Sequence, residues 1–191
     1  MSRKTSLRSA LMRGVFPHQA SWLLELPLRR LLISPQQLAD RIPLSPSSRI
    51  LELGPGSGFF SAELASRVPR GRLELFDLQP EMLQKARRRL PHATNVGYTT
   101  GDASSRLPYA AATFDIVVMV AVLGEVPDAQ SCLRHVRELL RPSGYLVCHE
   151  SLPDPDRIRY DRLVELARAS GFEPKRRWGR TWNYTAVFAV V

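Results

Sequence analysis

The stretch ILELGPGSGFF, residues 50–60, decides the fold. An apolar run broken only by Glu52 leads into three glycines at alternate positions, Gly54, Gly56 and Gly58, and two phenylalanines follow. Glycine admits positive φ and lets a ligand approach bare backbone. The apolar run has the length of a buried strand, and residues 57–67 read as a helix, so the glycines form the turn between the two. A dinucleotide-binding turn would carry G-x-G-x-x-G. Here the third glycine comes one position early, and Phe59 stands where that pattern wants glycine. No Gly-Lys-Ser/Thr follows, which excludes a phosphate-cradling P-loop.

Outward from this turn the pattern alternates. Residues 48–53, 72–77, 94–102, 114–123 and 145–150 read as strands. Residues 57–67, 80–90, 128–141 and 156–170 read as helices, with Pro80 opening one, Pro142 and Gly144 stopping another and Gly171 closing the last. The run at 114–123 is nearly continuous and β-branched, as a parallel strand covered on both faces should be. Residues 172–191 read as a closing hairpin. This alternation predicts a doubly wound α/β sheet, in which ligands bind beyond the carboxyl ends of the strands.

The first 45 residues stand apart. Residues 16–33 carry Trp22, Leu23, Leu24, Leu26, Leu28, Leu31 and Leu32 around Pro27, which predicts two short helices with a break. Ser34 reads as an N-cap with Pro35 at the first helical position, opening a helix to about Arg41. The expected organisation is a basic tail and helical cap over residues 1–45 and one compact domain over 46–191.

A length of 191 residues suits one domain, and an apolar fraction of 44% is that of a globular chain. Cys132 and Cys148 are too few for a disulfide framework or a zinc site and point to a reducing compartment. No uncharged apolar run of about 18 residues is present, so no helix is expected to span a membrane; peripheral contact stays open. The net charge of +9 comes from 24 Arg and 3 Lys spread along the chain, with short clusters at 85–90 and 175–180. It reads first as a solvated surface and second as a patch for nucleic acid or another polyanion. The N-terminus is rich in Arg and Ser and carries no acid before Glu25, features shared with mitochondrial transit peptides. A solvated tail in a cytoplasmic protein is the first expectation, and the mitochondrial matrix is the alternative.

The acids sharpen the reading. Glu52 lies just before the glycines, Asp77 ends the second strand 25 residues later, and Asp102 ends the third after another 25. Glu125 and Glu150 follow the fourth and fifth strands. Five acids along one rim of a basic chain suggest a cationic ligand. A carboxylate after the second strand suits two ribose hydroxyls, since it accepts two hydrogen bonds. One after the third can accept from an adenine amine. Structural readings stand beside these: Glu52 pairing within the sheet, Asp102 as a turn residue, Asp115 bracing the start of its strand, His135 on a helix surface, Trp178 and Trp182 packing at the hairpin.

The set LELGPGSG (51–58), FDLQPEML (76–83), GDA (101–103), LPYAAATFDIVV (107–118) and LLRPSGYLVCHE (139–150) resembles class I S-adenosylmethionine (SAM)-dependent methyltransferases, over roughly residues 48–191. The likeness is to small-molecule, ubiquinone-biosynthesis-like members. It implies a Rossmann-like seven-stranded sheet of order 3-2-1-4-5-7-6 with strand 7 antiparallel, and SAM as cofactor. It implies that Gly54, Gly56 and Gly58 approach the methionine part with Glu52 nearby, that Asp77 holds the ribose, that Leu78 flanks the adenine, and that Asp102 and Ala103 meet its edge. The lead-in at 34–58 is also similar to the approach segment of bacterial phospholipid N-methyltransferases.

Methyl transfer is an in-line displacement on an activated methyl, so the protein mainly aligns a nucleophile and, where needed, removes a proton. AVLGEVPD (121–128) replaces the Asn/Asp-Pro-Pro-aromatic motif of base-amine methyltransferases, and no Cys follows a Pro there as cytosine-C5 enzymes require. No metal-ligand cluster is seen. Where related sequences often carry His, this chain has Gly124 and Glu125. Glu125 is the first candidate for a base or amine-binding carboxylate; His149 and Glu150 are the second. The expected function is methylation of a small molecule, with apolar N-terminal residues suited to lining a pocket for a lipophilic one. An RNA or protein acceptor, and SAM binding without catalysis, are the alternatives.

Overall fold

The computed structural model describes residues 33–191. The basic tail and the helices expected within 16–33 lie outside these residues, apart from Ile33. Ser34 caps α1 (Pro35–Arg41): its hydroxyl accepts from the Gln37 N–H, and the Gln37 side chain accepts from the Ser34 N–H. This reciprocal pair satisfies two donors that a helix start leaves open.

The chain continues as β1 (Arg49–Leu53), α2 (Ser61–Arg67), β2 (Arg72–Asp77), α3 (Pro80–Arg89), β3 (Val96–Thr100), β4 (Phe114–Val120), α4 (Ala129–Leu139), β5 (Leu140–Ser151), α5 (Tyr160–Arg168), β6 (Phe172–Arg180) and β7 (Asn183–Val190). All seven strands form one sheet of order β3-β2-β1-β4-β5-β7-β6. The pairs from β3 through β5 are parallel, and β7 is antiparallel to both β5 and β6. This is the doubly wound arrangement expected from the alternation.

Successive strand residues point to opposite faces. Leu51, Leu53, Val117, Met119, Leu146 and Cys148 enter the core beneath α4 and α5. Ile50, Val118, Val120, Val147 and Val187 enter the core beneath α1, α2 and α3. Both faces are covered, which is why β4 is apolar at nearly every position. At the amino edge Asp115 accepts from the Arg49 N–H at 2.8 Å and from Arg141 Nη1 at 2.5 Å. Its place is structural, tying β1 and β5 to β4.

Several element boundaries differ from the sequence expectation. α2 starts at Ser61 rather than Ser57, because Gly58 holds φ 78 and cannot enter a right-handed helix. α4 ends at Leu139, and residues 140–144 join β5, with an irregular register opposite Phe114 and Ile116. α5 starts at Tyr160 rather than 156, because the Asp154 carboxylate accepts from the Asp156 N–H and holds a turn there.

Candidate cofactor and active site

Gly54, Gly56 and Gly58 all take the left-handed conformation, with φ 62, 56 and 78. The turn is fastened to the end of β2: the Gly54 N–H donates to the Phe76 carbonyl at 2.8 Å, and the Gly56 N–H to Asp77 Oδ2 at 3.3 Å. A Cβ at Gly54 would sit 2.4 Å from Val122 Cγ2, so the turn packs against the segment that leaves β4. A Cβ at Gly56 would meet nothing within 4 Å. The turn therefore presents bare backbone to space on one side and is wedged against protein on the other.

Glu52 points into the α1–α3 side and is buried; it accepts from Ser61 Oγ at 2.6 Å. Burial raises its pKa from 4.5 to about 7, the Ser61 hydrogen bond opposes this, and the nearby Asp77 charge adds to it. Asp77 is also buried, and burial raises its pKa against the hydrogen bonds from Gln79, Gly56 and Leu78. Two carboxylates held out of water beside one open turn favour a cation between them. A cation stabilises charged Glu52 and draws its pKa down, so binding near neutral pH expels a proton. SAM affinity is expected to rise from pH 6 to pH 8, and titration calorimetry in buffers of different ionisation heat will read that proton. By the same linkage the raised pKa lets the folded chain hold a proton that the unfolded chain loses. This group's contribution to stability therefore falls as pH rises from 4.5 to about 7.

Leu78, next to Asp77, is an apolar side chain left 50% exposed. Asp102 is exposed beyond β3 and accepts from the Ser104 N–H at 2.8 Å, in a local turn. Ala103 packs half-buried against the α4–α5 core.

On the other flank, Glu125 ends a short 3₁₀ turn, Leu123–Glu125, and is half-buried. A Cβ at Gly124 would fall 1.8 Å from the Asp156 carbonyl oxygen, so this turn abuts the 154–157 loop. Glu150 is buried at the end of β5 and accepts from the Ile158 N–H at 3.2 Å. Burial first, then the Asp154 and Glu125 charges, raise its pKa to about 8, against the Ile158 N–H and Arg157. Glu125 and Glu150 thus share one neighbourhood.

His149 is turned away from it. Its side chain lies on the α1–α3 face, with Nδ1 3.0 Å from Thr185 Oγ1, while Glu150 faces the α4–α5 side. The period of two along β5 separates the two second-choice candidates.

Sequence reasoning overlooked four residues here. Ser61 and Thr185 are buried hydroxyls that bind site residues. Arg41 donates to Thr185 at 2.8 Å. Ala121, at φ 54 just after β4, gives its N–H to the His149 carbonyl. None of the four carries a local signal, since Ser61 falls inside a helix read from residue 57.

The strand order, the glycine turn beyond β1 and the acid closing β2 define a class I SAM-dependent methyltransferase domain. Residues 50–144 match the family model described as a methyltransferase domain, and the chain belongs to the class I SAM-dependent methyltransferases. It is 32% identical over 164 residues to a malonyl-[acyl-carrier protein] O-methyltransferase of Xylella fastidiosa, covering 85% of this chain and 52% of that one. It is 33% identical over 135 residues to a trans-aconitate 2-methyltransferase of Methylobacterium radiotolerans, covering 71% and 49%. The chain spans about half the length of these curated relatives. The fold superposes on a SAM-dependent methyltransferase from Aquifex aeolicus with a TM-score of 0.84 at 19% identity, covering 92% of this chain and 100% of that one.

The residues present fit SAM. Gly56 offers open backbone, Asp77 keeps lone pairs beyond those its backbone donors use, Leu78 offers an exposed apolar face, and Glu52 supplies buried charge. Among the described residues no group of His, Cys, Asp and Glu could hold a metal ion, and no helix is long and apolar enough to cross a membrane.

Proposed function

We propose that this chain transfers a methyl group from SAM to a small organic acceptor, with Glu125 as the carboxylate that takes a proton from the acceptor or orients it. The observation that carries this reading is the open side of Gly56, flanked by the buried carboxylates of Glu52 and Asp77. When bound, SAM supplies a methyl group already activated by its sulfonium. The chain's own part is then positional. The glycine turn and Asp77 fix the cofactor, Glu52 balances positive charge, and the turn after β4 brings Glu125 to the acceptor side. Asp102 and Ala103, beyond β3, stand at the edge where an adenine would end.

Of the three candidates, Glu125 suits the role best. Glu150 holds its proton up to about pH 8 and anchors the loop that follows β5, so at neutral pH it is poorly suited to accept one. His149 is buried on the other face of the sheet. The trans-aconitate relative's name supports a small acceptor, and the other relative's name gives a malonyl group carried on an acyl-carrier protein. The arginines support a small acceptor too. Arg67, Arg72, Arg141, Arg159, Arg162 and Arg168 meet carboxylates, while Arg87 and Arg177 lie over tyrosine rings. Among the described residues these eight charges are spread over several elements.

Labelled SAM incubated with a fractionated cell extract should place label in a small-molecule fraction. Label in RNA or protein would reassign the acceptor. Glu125→Gln should lower turnover about 100-fold, the lower range for a proton-transfer group, with SAM affinity kept. Unchanged turnover would remove Glu125 from the chemistry.

A further inference from the structure

Arg41 differs from the paired arginines. It closes α1, is half-buried, and donates to Thr185 Oγ1 at 2.8 Å; among the described residues no carboxylate lies within ion-pairing distance of it. Burial lowers its pKa, and no acid acts in the opposite direction. A guanidinium can only donate hydrogen bonds. The Thr185 oxygen therefore accepts from Arg41, and the same oxygen lies 3.0 Å from His149 Nδ1. Arg41, Thr185 and His149 are thus joined in one chain of polar contacts.

The register fixes where this chain sits. Val120, His149, Thr185 and Trp178 are successive partners across β4, β5, β7 and β6. Leu53 pairs with Met119, so this row lies one residue beyond, level with Gly54. Strands are about 4.8 Å apart, which puts Thr185 about 14 Å across the sheet from the glycine turn. Thr185 and His149 share the face that holds Glu52. A row that begins at the cofactor turn thus ends at a cation with N–H donors to spare.

We propose that Arg41, seated on Thr185, determines acceptor specificity by receiving a carboxylate of the acceptor. This rests on the methyltransferase reading above. The distance requires an acceptor with two ends: a carboxylate at Arg41 and a separate nucleophilic atom toward the glycine turn. A planar guanidinium matches a carboxylate through two parallel hydrogen bonds. Pairing also offsets the cost of holding a cation partly out of water, and a neutral acceptor would leave that cost standing.

The test uses the full chain saturated with S-adenosylhomocysteine and a calorimetric titration with succinate, glutarate and trans-aconitate, each beside its amide. At least one acid should bind the wild-type protein more tightly than its amide. Arg41→Gln should weaken that binding about tenfold or more, Arg41→Lys should recover part of it, and affinity for S-adenosylhomocysteine should stay within about twofold. Thr185→Val, which keeps shape and removes the seat, should weaken the acid in the same direction and serves where Arg41→Gln does not fold. For an acceptor that is turned over, the loss should fall on its KM more than on kcat. The proposal is overturned if no acid is preferred over its amide, or if Arg41→Gln binds the acids as the wild type does. Failure of the wild type to bind S-adenosylhomocysteine would overturn the methyltransferase reading as well, which separates the two failures.

Discussion

Replacing Asp77 by alanine weakens SAM binding by about 1.5–3 kcal/mol, the scale of hydrogen bonds to a charged group, or roughly 10- to 150-fold in affinity. The carboxylate ends β2 beside the glycine turn. Oδ1 accepts from the Gln79 N–H at 2.9 Å, and Oδ2 accepts from the Gly56 N–H at the longer distance of 3.3 Å. An ionised carboxylate has about four lone-pair sites, so acceptor capacity remains for a ligand hydroxyl beyond the backbone donors. Alanine removes that capacity and also releases the turn. Asp77→Asn keeps the shape and loses the charge, so its affinity should fall between the two. Calorimetry reads the binding, and circular dichroism checks that each variant is folded. Wild-type affinity in the alanine variant would take Asp77 out of the site.

Gly54→Ala should unfold most easily of the turn variants. A non-glycine residue at φ 62 costs about 1–2 kcal/mol. Its Cβ would also stand 2.4 Å from Val122 Cγ2, and forcing an extra carbon into packed surroundings costs about 1–3 kcal/mol more. The expected loss in urea denaturation is thus about 2–5 kcal/mol. Gly56→Ala carries the conformational cost alone, since space is open there. Its stability should drop less, and its SAM affinity should suffer because the methyl group enters the ligand's side. Adding Val122→Ala to Gly54→Ala should restore part of the stability, as neighbours couple. Equal losses at the two glycines, with no rescue, would contradict this packing.

Much of the fold was legible because it follows from local pattern. The β-branched run of β4 and the strand–turn–helix at ILELGPGSG place the central strands without reference to distant residues. Boundaries failed where a single backbone conformation decides them. Gly58 at φ 78 delays α2, a state that glycine permits but does not announce. The candidate site was legible where it lies along the chain, since Glu52, the glycine turn and Asp77 do come together. It was not readable where it is built across the chain: Arg41 and Thr185 are 144 residues apart, and no spacing links them. The separation of His149 from Glu150 was within reach of the strand period, since Val147 and Cys148 already alternate between the two cores. Asp102 shows the converse, because a carboxylate at a regular interval in sequence also serves a local turn with Ser104.

The account depends most on the glycine turn and its two carboxylates accepting a positively charged adenosyl compound. Titration calorimetry of the purified chain with SAM tests it most directly, with nicotinamide and flavin dinucleotides run in parallel. Saturable binding of SAM at one site per chain, weakened by Asp77→Ala, is the result the structure predicts. A chain that ignores SAM yet takes up one of the dinucleotides would contradict it.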